Sequence, residues 1–352
     1  MTTINLTQPP SQLKITCEYC GGLGNQLFQI YTTIAHAIEW KAVFYFSDSD
    51  ISPSITYRKT YWKTFLKSFR IFLKGAQEIK QMEQKQMEQR QVCMNIKEKE
   101  FAYNKIEYPN IEFIRSYTKV DDIVIKLNGY FQSYLYFEKH FEPINRMIRL
   151  EDQKNQVIEK YNAFASQSFS REKPYKISMH FRLGDYVHLQ HTHPITPFEY
   201  YYTCMMYIIM SEVTIRDTEP KKFYIYYFCE DEWKEYVDTN YIKRLEENFG
   251  NTKNGFELCF IPVTSQSSSL DDWEQMLLMS SCDINIIANS TFSLWGAYFN
   301  SKFIENNNNQ DSSNNSTYVY YPTKWFQDSI GHDVKNLFKS EKEGWKGIDI
   351  IL

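Results

Sequence analysis

Apolar runs of strand length alternate with helical patterns through the second half of this chain, and that alternation constrains the fold more than any other feature. The runs are Ile177 to Phe181, Phe223 to Phe228, Phe256 to Ile261 and Ile284 to Ala288. A helical pattern follows each: about Pro197 to Met210, a polar helix after Glu230-Asp231, Asp271 to Ser281, and Phe292 to Phe299. Strands alternating with helices form right-handed βαβ units, so the sheet is parallel and the class is α/β.

The first half opens the same way. Leu13 to Tyr19 reads as a strand that ends in Gly21-Gly22-Leu23-Gly24-Asn25-Gln26. Leu27, Ile30, Tyr31, Ile34 and Ile38 then recur at helical spacing. Ala42 to Phe46 is a second strand, and Arg58 to Trp62 a loop entering a helix. Residues 77–92, rich in Gln, Glu, Lys and Met, predict an exposed helix with a solvated charged face. Ile123 to Leu127 is a short strand, and a helix runs to about Ile148. The polar stretch 150–173 separates an N-terminal lobe, 1–150, from a C-terminal lobe, 174–352. The asparagines at 306–309, 314 and 315 predict a loop insertion without chemistry.

Composition removes several functions. A chain of 352 residues with 43% hydrophobic residues can build two packed cores. A net charge of −4 argues against a nucleic-acid partner. No apolar run has membrane length, and Met1 to Gln12 lack the build of a signal peptide. The expectation is a cytoplasmic or otherwise soluble protein with no stable membrane insertion. The seven cysteines fall mostly in apolar runs, as buried free thiols do. Cys17-x-x-Cys20 has no second pair to complete a zinc site, so no metal is expected.

Four constellations can carry chemistry, and each has a plainer reading. His180-Phe181-Arg182-Leu183-Gly184-Asp185-Tyr186 delivers a histidine, an arginine and a carboxylate at a strand end. Arg182 can grip phosphate oxygens with its planar fork, and Asp185 can fix it or take a proton. The plain alternative is an Arg–Asp ion pair supporting a turn. The glycine turn, with Gly22, Gly24, Asn25 and Gln26, allows close backbone approach to an anion at a helix start. It can equally be a tight turn capped by Asn25. Asn289-Ser290-Thr291-Phe292 ends a strand and begins a helix, which suits a phosphate or is simple capping. Glu230 and Asp231 can bind ribose hydroxyls or cap a helix, the latter being the expectation for Asp231.

These stretches also occur in a recognisable order. Gly21-Gly22-Leu23-Gly24-Asn25-Gln26-Leu27-Phe28-Gln29, the segment His180 to Tyr186, and Ile286-Ile287-Ala288-Asn289-Ser290-Thr291-Phe292-Ser293-Leu294-Trp295 resemble the α-1,2-fucosyltransferases of glycosyltransferase family 11. Arg58 to Trp62, Gly129 to Ser133, Met276 to Ser280 and Pro322 to Phe326 support the resemblance. It implies a GT-B architecture, two Rossmann-like lobes with parallel sheets facing across a cleft. Lobe 1–150 would shape the acceptor side and lobe 174–352 would hold GDP-fucose. The implied reaction moves L-fucose from GDP-β-L-fucose to the 2-OH of a galactose-containing glycan, with inversion and without metal or other cofactor.

The resemblance assigns roles as well. Arg182 would neutralise the departing β-phosphate, and His180 would contact the nucleotide or orient Arg182. Asn289, Ser290, Thr291 and Phe292 would present donors to the phosphate, with Gly22, Gly24, Asn25 and Gln26 from the other lobe. Asp185 is the nearest carboxylate for a general base, with His188, His191 and His193 following. Two positions depart from the family pattern. Leu183 stands where a second arginine is usual, so Arg182 acts alone or with a group such as Lys324. Gln275, beside Glu274, stands where an acidic residue often reads guanine. A transferase for another deoxyhexose nucleotide, or a weakly catalytic sugar-nucleotide or glycan-binding protein, are the alternative expectations.

Overall fold

Ile123, Val124, Ile125 and Leu127 are all buried, so their strand has apolar neighbours on both faces. That is the signature of an interior strand in a parallel sheet. The computed structural model describes residues 12–51, 58–88, 91–99, 103–117, 120, 122–161, 174–212, 221–250, 255–300, 318–327 and 335–349. The asparagine-rich stretch at 306–315 lies outside the described residues. Two units divide the chain between Arg149 and Leu150.

The first unit has a four-stranded sheet of β1 (Gln12–Cys17), β2 (Val43–Phe44), β5 (Gln91–Lys97) and β6 (Asp122–Asn128). Its order is β2-β1-β6-β5, and every pairing is parallel. Leu13, Ile15 and Cys17 lie opposite Ile123, Ile125 and Leu127. Two further short strands, β3 (Phe46–Ser47) and β4 (Leu73–Lys74), pair with each other. The helix Leu23–Trp40 packs on the sheet and ends where Lys41 turns left-handed (φ 52°), its amide bonded to Ala37 and Ile38 carbonyls. The stretch 77–92 is not one exposed helix. The helix Ala76–Met87 stops short, and β5 begins at Gln91. An edge strand with half-exposed residues has no strong apolar run, which is why the polar tract before it masks its start.

The second unit begins with the helix Leu150–Lys160, which lies in the polar stretch between the lobes and packs on the helix Asp272–Ser280. Its sheet contains β7 (Tyr175–His180), β8 (Lys221–Phe228), β9 (Phe256–Val263), β10 (Ile284–Ile286), β11 (Val319–Pro322) and β12 (Trp345–Ile348). The order is β12-β11-β10-β7-β8-β9, all parallel. Counted within the unit from the far edge, this is 3-2-1-4-5-6, the Rossmann order. The order reverses between β7 and β10, and in open α/β sheets a ligand crevice forms at that reversal, beyond the strands' C-terminal ends.

Buried polar contacts fix this junction. Asn285 donates to Ser178 Oγ (2.6 Å) and to the Met279 carbonyl (2.8 Å), and Asn300 donates to Asn285 Oδ1 (2.7 Å). On the helix Phe198–Glu212, Tyr201 donates to the His180 carbonyl (2.9 Å), while the Tyr200 hydroxyl lies 2.6 Å from the Ile287 carbonyl. Two adjacent tyrosines thus satisfy carbonyls where the ladders of β7 and β10 give out. No described helix is long and apolar enough to cross a membrane.

Candidate functional site

The switch point of the second unit gathers the residues that the sequence singled out. Arg182, two residues past β7, donates from Nη1 to Glu230 Oε1 and from Nη2 to Asp185 Oδ1, both at 2.5 Å. Burial opposes its charge, but Glu230 and Asp185 outweigh that and hold its pKa above the ordinary arginine value. The plain reading of an Arg–Asp pair is therefore present, and Glu230 extends it to a three-member cluster. Gly184 makes the approach possible. Its φ is +25°, and a Cβ there would lie 2.7 Å from Glu230 Oε1. The second Glu230 oxygen, Oε2, is buried and has no hydrogen-bond partner among the described residues. A buried carboxylate oxygen in that state is an acceptor for a ligand's hydroxyl or amine.

His180 ends β7 and is buried, its ring 5.6 Å from that of Phe292. Desolvation, then the charge of Arg182, push its pKa down to about 3. It is a neutral imidazole, and its Nδ1 has no partner among the described residues. Leu183 is buried in the same apolar core as Phe181 and Tyr201. Its side chain continues the core and faces away from the solvent edge where a second cation would act.

Tyr186 joins the two halves of the switch point. Its hydroxyl donates to the Asn289 carbonyl (3.0 Å), and its ring lies 5.2 Å from the Arg182 guanidinium and stacks on His193. Asn289 is buried and fully engaged. Its amide donates to the Pro194 (2.8 Å) and Trp325 (3.1 Å) carbonyls and accepts from Thr196 (3.2 Å). Its side chain braces the turn from within. Ser290 is the N-cap of the helix Thr291–Tyr298 and accepts from the Phe292 amide (3.4 Å). Thr291 and Phe292, half-buried in the first turn, are the parts of this turn that reach its surface.

A chain of contacts runs along the other side of the switch point. Asp231 accepts from the Gln266 amide (2.9 Å), so it caps the turn Ser265–Ser268 after β9. Gln275 donates to Ser265 Oγ (3.2 Å) and to the Leu270 carbonyl (3.1 Å). Glu274 accepts from the Asp271 amide (2.8 Å) and pairs with Lys160 at 2.6 Å, so its carboxylate serves the fold. His188 and His191 are exposed, and His193 lies between Tyr186 and Phe326.

The glycine turn belongs to the first unit. Gly21 has φ +79°, and a Cβ there would meet Asn25 Nδ2 at 2.6 Å. Gly22, not Asn25, is the N-cap of the helix Leu23–Trp40, and no side chain caps the helix. Asn25 Oδ1 instead accepts from Gln132 (3.0 Å). Gln26 donates to the Gly21 (3.0 Å) and Lys59 (2.9 Å) carbonyls, while Gln29 bonds both the amide and the carbonyl of Cys20. Gly24 is buried in the first helical turn, and a Cβ at Gly22 would meet open space. Sequence reasoning named these residues but missed Gln29, Gln132 and Tyr186 as the groups that hold the turns. Gln29 is buried in the second turn of its helix and Gln132 is half-buried in a loop, and no local pattern reveals either role.

No family model matches the chain. A stretch of 126 residues is 31% identical to the O-antigen biosynthesis glycosyltransferase WbnK of Escherichia coli, covering 35% of this chain and 34% of that protein. The chain thus matches about a third of the length of that curated relative. Among solved structures, an Arabidopsis thaliana FUT1 mutant in complex with GDP aligns with a TM-score of 0.44 and 13% identity, over 84% of this chain and 70% of that one. The fucosyltransferase NodZ from Bradyrhizobium aligns with a TM-score of 0.37 and 11% identity, over 83% and 93%.

Proposed function

We propose that this chain is a GT-B fucosyltransferase that moves L-fucose from GDP-β-L-fucose to the 2-OH of a galactoside, with inversion and without a metal. The observation that carries the reading is Arg182, held by two carboxylates at the switch point of a Rossmann-ordered sheet, beside a helix start. The partial identity to a glycosyltransferase of O-antigen biosynthesis supports the same class. The two units are then the two lobes, the second taking the donor and the first the acceptor side.

In this reading the diphosphate lies beyond β7 and β10. Glu230 and Asp185 orient the guanidinium, which keeps N–H groups beyond those two bonds for the β-phosphate. As the C1–O bond to phosphate breaks, Arg182 stabilises the charge gathering on the leaving oxygen, in the place a divalent cation takes elsewhere. The acceptor oxygen attacks from the opposite face, and its proton passes to a base there. Asp185 is tied to Arg182, which leaves His188 and His191 as the exposed loop groups for that proton. Glu230 Oε2 accepts a ribose hydroxyl.

Incubation with GDP-fucose and a panel of galactosides, with chelator present, is expected to release GDP and yield an Fuc-α-1,2-galactose product by NMR. Activity abolished by chelator overturns the metal-free step, and a different linkage overturns the acceptor assignment. A second donor is favoured by one observation. Both amide protons of Gln275 are committed to Ser265 and Leu270, so only its carbonyl oxygen is left to read a base. A screen of deoxyhexose nucleotides separates the two readings.

A further inference from the structure

Glu98 follows β5 and appears in none of the motifs. Its amide continues the ladder by bonding to the Asn128 carbonyl (2.9 Å). Its carboxylate Oε2 accepts from the Tyr130 amide (2.7 Å), and the amides of Phe131 and Gln132 bond the same group. Three successive N–H groups around one carboxylate form a nest that fixes its position, while burial raises the carboxyl's pKa despite them. The backbone is shaped for it. Phe131 has φ 51°, and Gly129 has φ +156° with a Cβ position 2.3 Å from the Glu98 Cβ, so only glycine fits there. The last residue of the nest, Gln132, donates to Asn25 Oδ1 in the first turn of the helix that begins at the glycine turn (3.0 Å). A continuous path of bonds therefore runs from Glu98 through the loop to Asn25.

We propose that Glu98 is a positioning residue for the transfer reaction: it holds the loop Gly129–Ser133, and the loop sets Asn25 through Gln132. The inference rests on the reading of the first unit as the acceptor side of a transferase. Glu98 touches neither substrate and acts through two intermediaries. A purely structural clamp would lower stability without changing substrate affinity, whereas a positioning residue changes the Michaelis constant in protein that is still folded.

The test measures acceptor KM and kcat for Glu98→Ala, Glu98→Gln and Gln132→Ala in the full chain, with melting temperatures alongside. Glu98→Ala is expected to raise the acceptor KM roughly tenfold with kcat changed less than about twofold. Gln132→Ala, which leaves the nest intact, is expected to raise KM in the same direction at nearly unchanged melting temperature. Glu98→Gln keeps one acceptor oxygen and is expected to fall between wild type and alanine. A folded Glu98→Ala or Gln132→Ala protein with the wild-type KM overturns the inference. A wild type that turns over no sugar nucleotide overturns the transferase reading, and this inference with it.

Discussion

Two strand-to-helix turns in this molecule solve the same problem in opposite ways. After β10, the chain turns on Asn289, whose side chain is bonded into the fold, and on Ser290, whose side chain caps the following helix. After β1, it turns on Gly21 and Gly22, and no side chain caps the helix that follows. The first turn is held by polar side chains with internal partners, and the nearby charge is that of Arg182, just past the neighbouring strand. The second has no side chain at its glycines, and Gln26 and Gln29 of the helix that follows hold its backbone. A turn built from side chains offers charge, while a turn built from glycine offers bare backbone.

The largest expected effect concerns the charge. Arg182→Ala leaves Glu230 and Asp185 facing each other without a cation. It should cut kcat/KM by about 10²- to 10³-fold, equal to roughly 3–4 kcal/mol of transition-state stabilisation. Loss of less than tenfold in steady-state kinetics would break the assignment of charge to the second unit's turn. Next is the rigidity of that turn. Asn289→Ala orphans the buried Pro194 and Trp325 carbonyls and should lower stability by about 2–4 kcal/mol in denaturant titrations.

Gly21→Ala tests the glycine turn. Its left-handed backbone and the nearby Asn25 amide should cost about 1–2 kcal/mol in the same titration. His180 gives a pH signature of similar size. Its folded pKa, about 3, is depressed below the ordinary histidine value, so acid protonates the unfolded chain first. The stability it contributes is present above about pH 6.5 and falls by about 1.4 kcal/mol per pH unit as the pH drops toward that folded value. His180→Gln should flatten that slope, and an unchanged slope would place the titration elsewhere. The smallest structural effect is expected at Gly22→Ala, where a Cβ meets open space. Its melting temperature should hold while the acceptor KM rises about threefold, as close backbone approach requires. An unchanged KM would make the open turn a fold element only.

Much of the architecture could be read from local pattern. The strands β1, β6, β7, β8 and β10 showed as apolar runs because they are largely buried, and the edge strand β9 showed because its residues are apolar although most are only half-buried. Three other strands did not. β5 has only partly buried side chains after its first residue, and β11 and β12 are four residues each, too short for a period to register. In the site, Asp185 was legible as a partner of Arg182 because it lies three residues away, whereas Glu230 lies 48 residues away and was flagged for other reasons. The bracing bonds of the Asn289 side chain were not legible, because its carbonyl partners Pro194 and Trp325 are far away in sequence. Asn25 looked like a cap, but Gln132, 107 residues away, takes its oxygen.

The amino-acid sequence by itself determined that this is a parallel α/β protein, that an arginine stands just beyond a strand end, and that glycines and hydroxyl residues begin two of its helices. These follow from periodicity, backbone freedom and side-chain chemistry over a few neighbouring residues. Only the tertiary structure decided the 3-2-1-4-5-6 order that brings β7 beside β10, the second carboxylate on Arg182, the burial of Leu183, and the nest around Glu98. The reason is range. Strand order and buried polar pairing depend on which distant segments share an interior, and a local pattern records only that a residue can be buried, not what it will meet there.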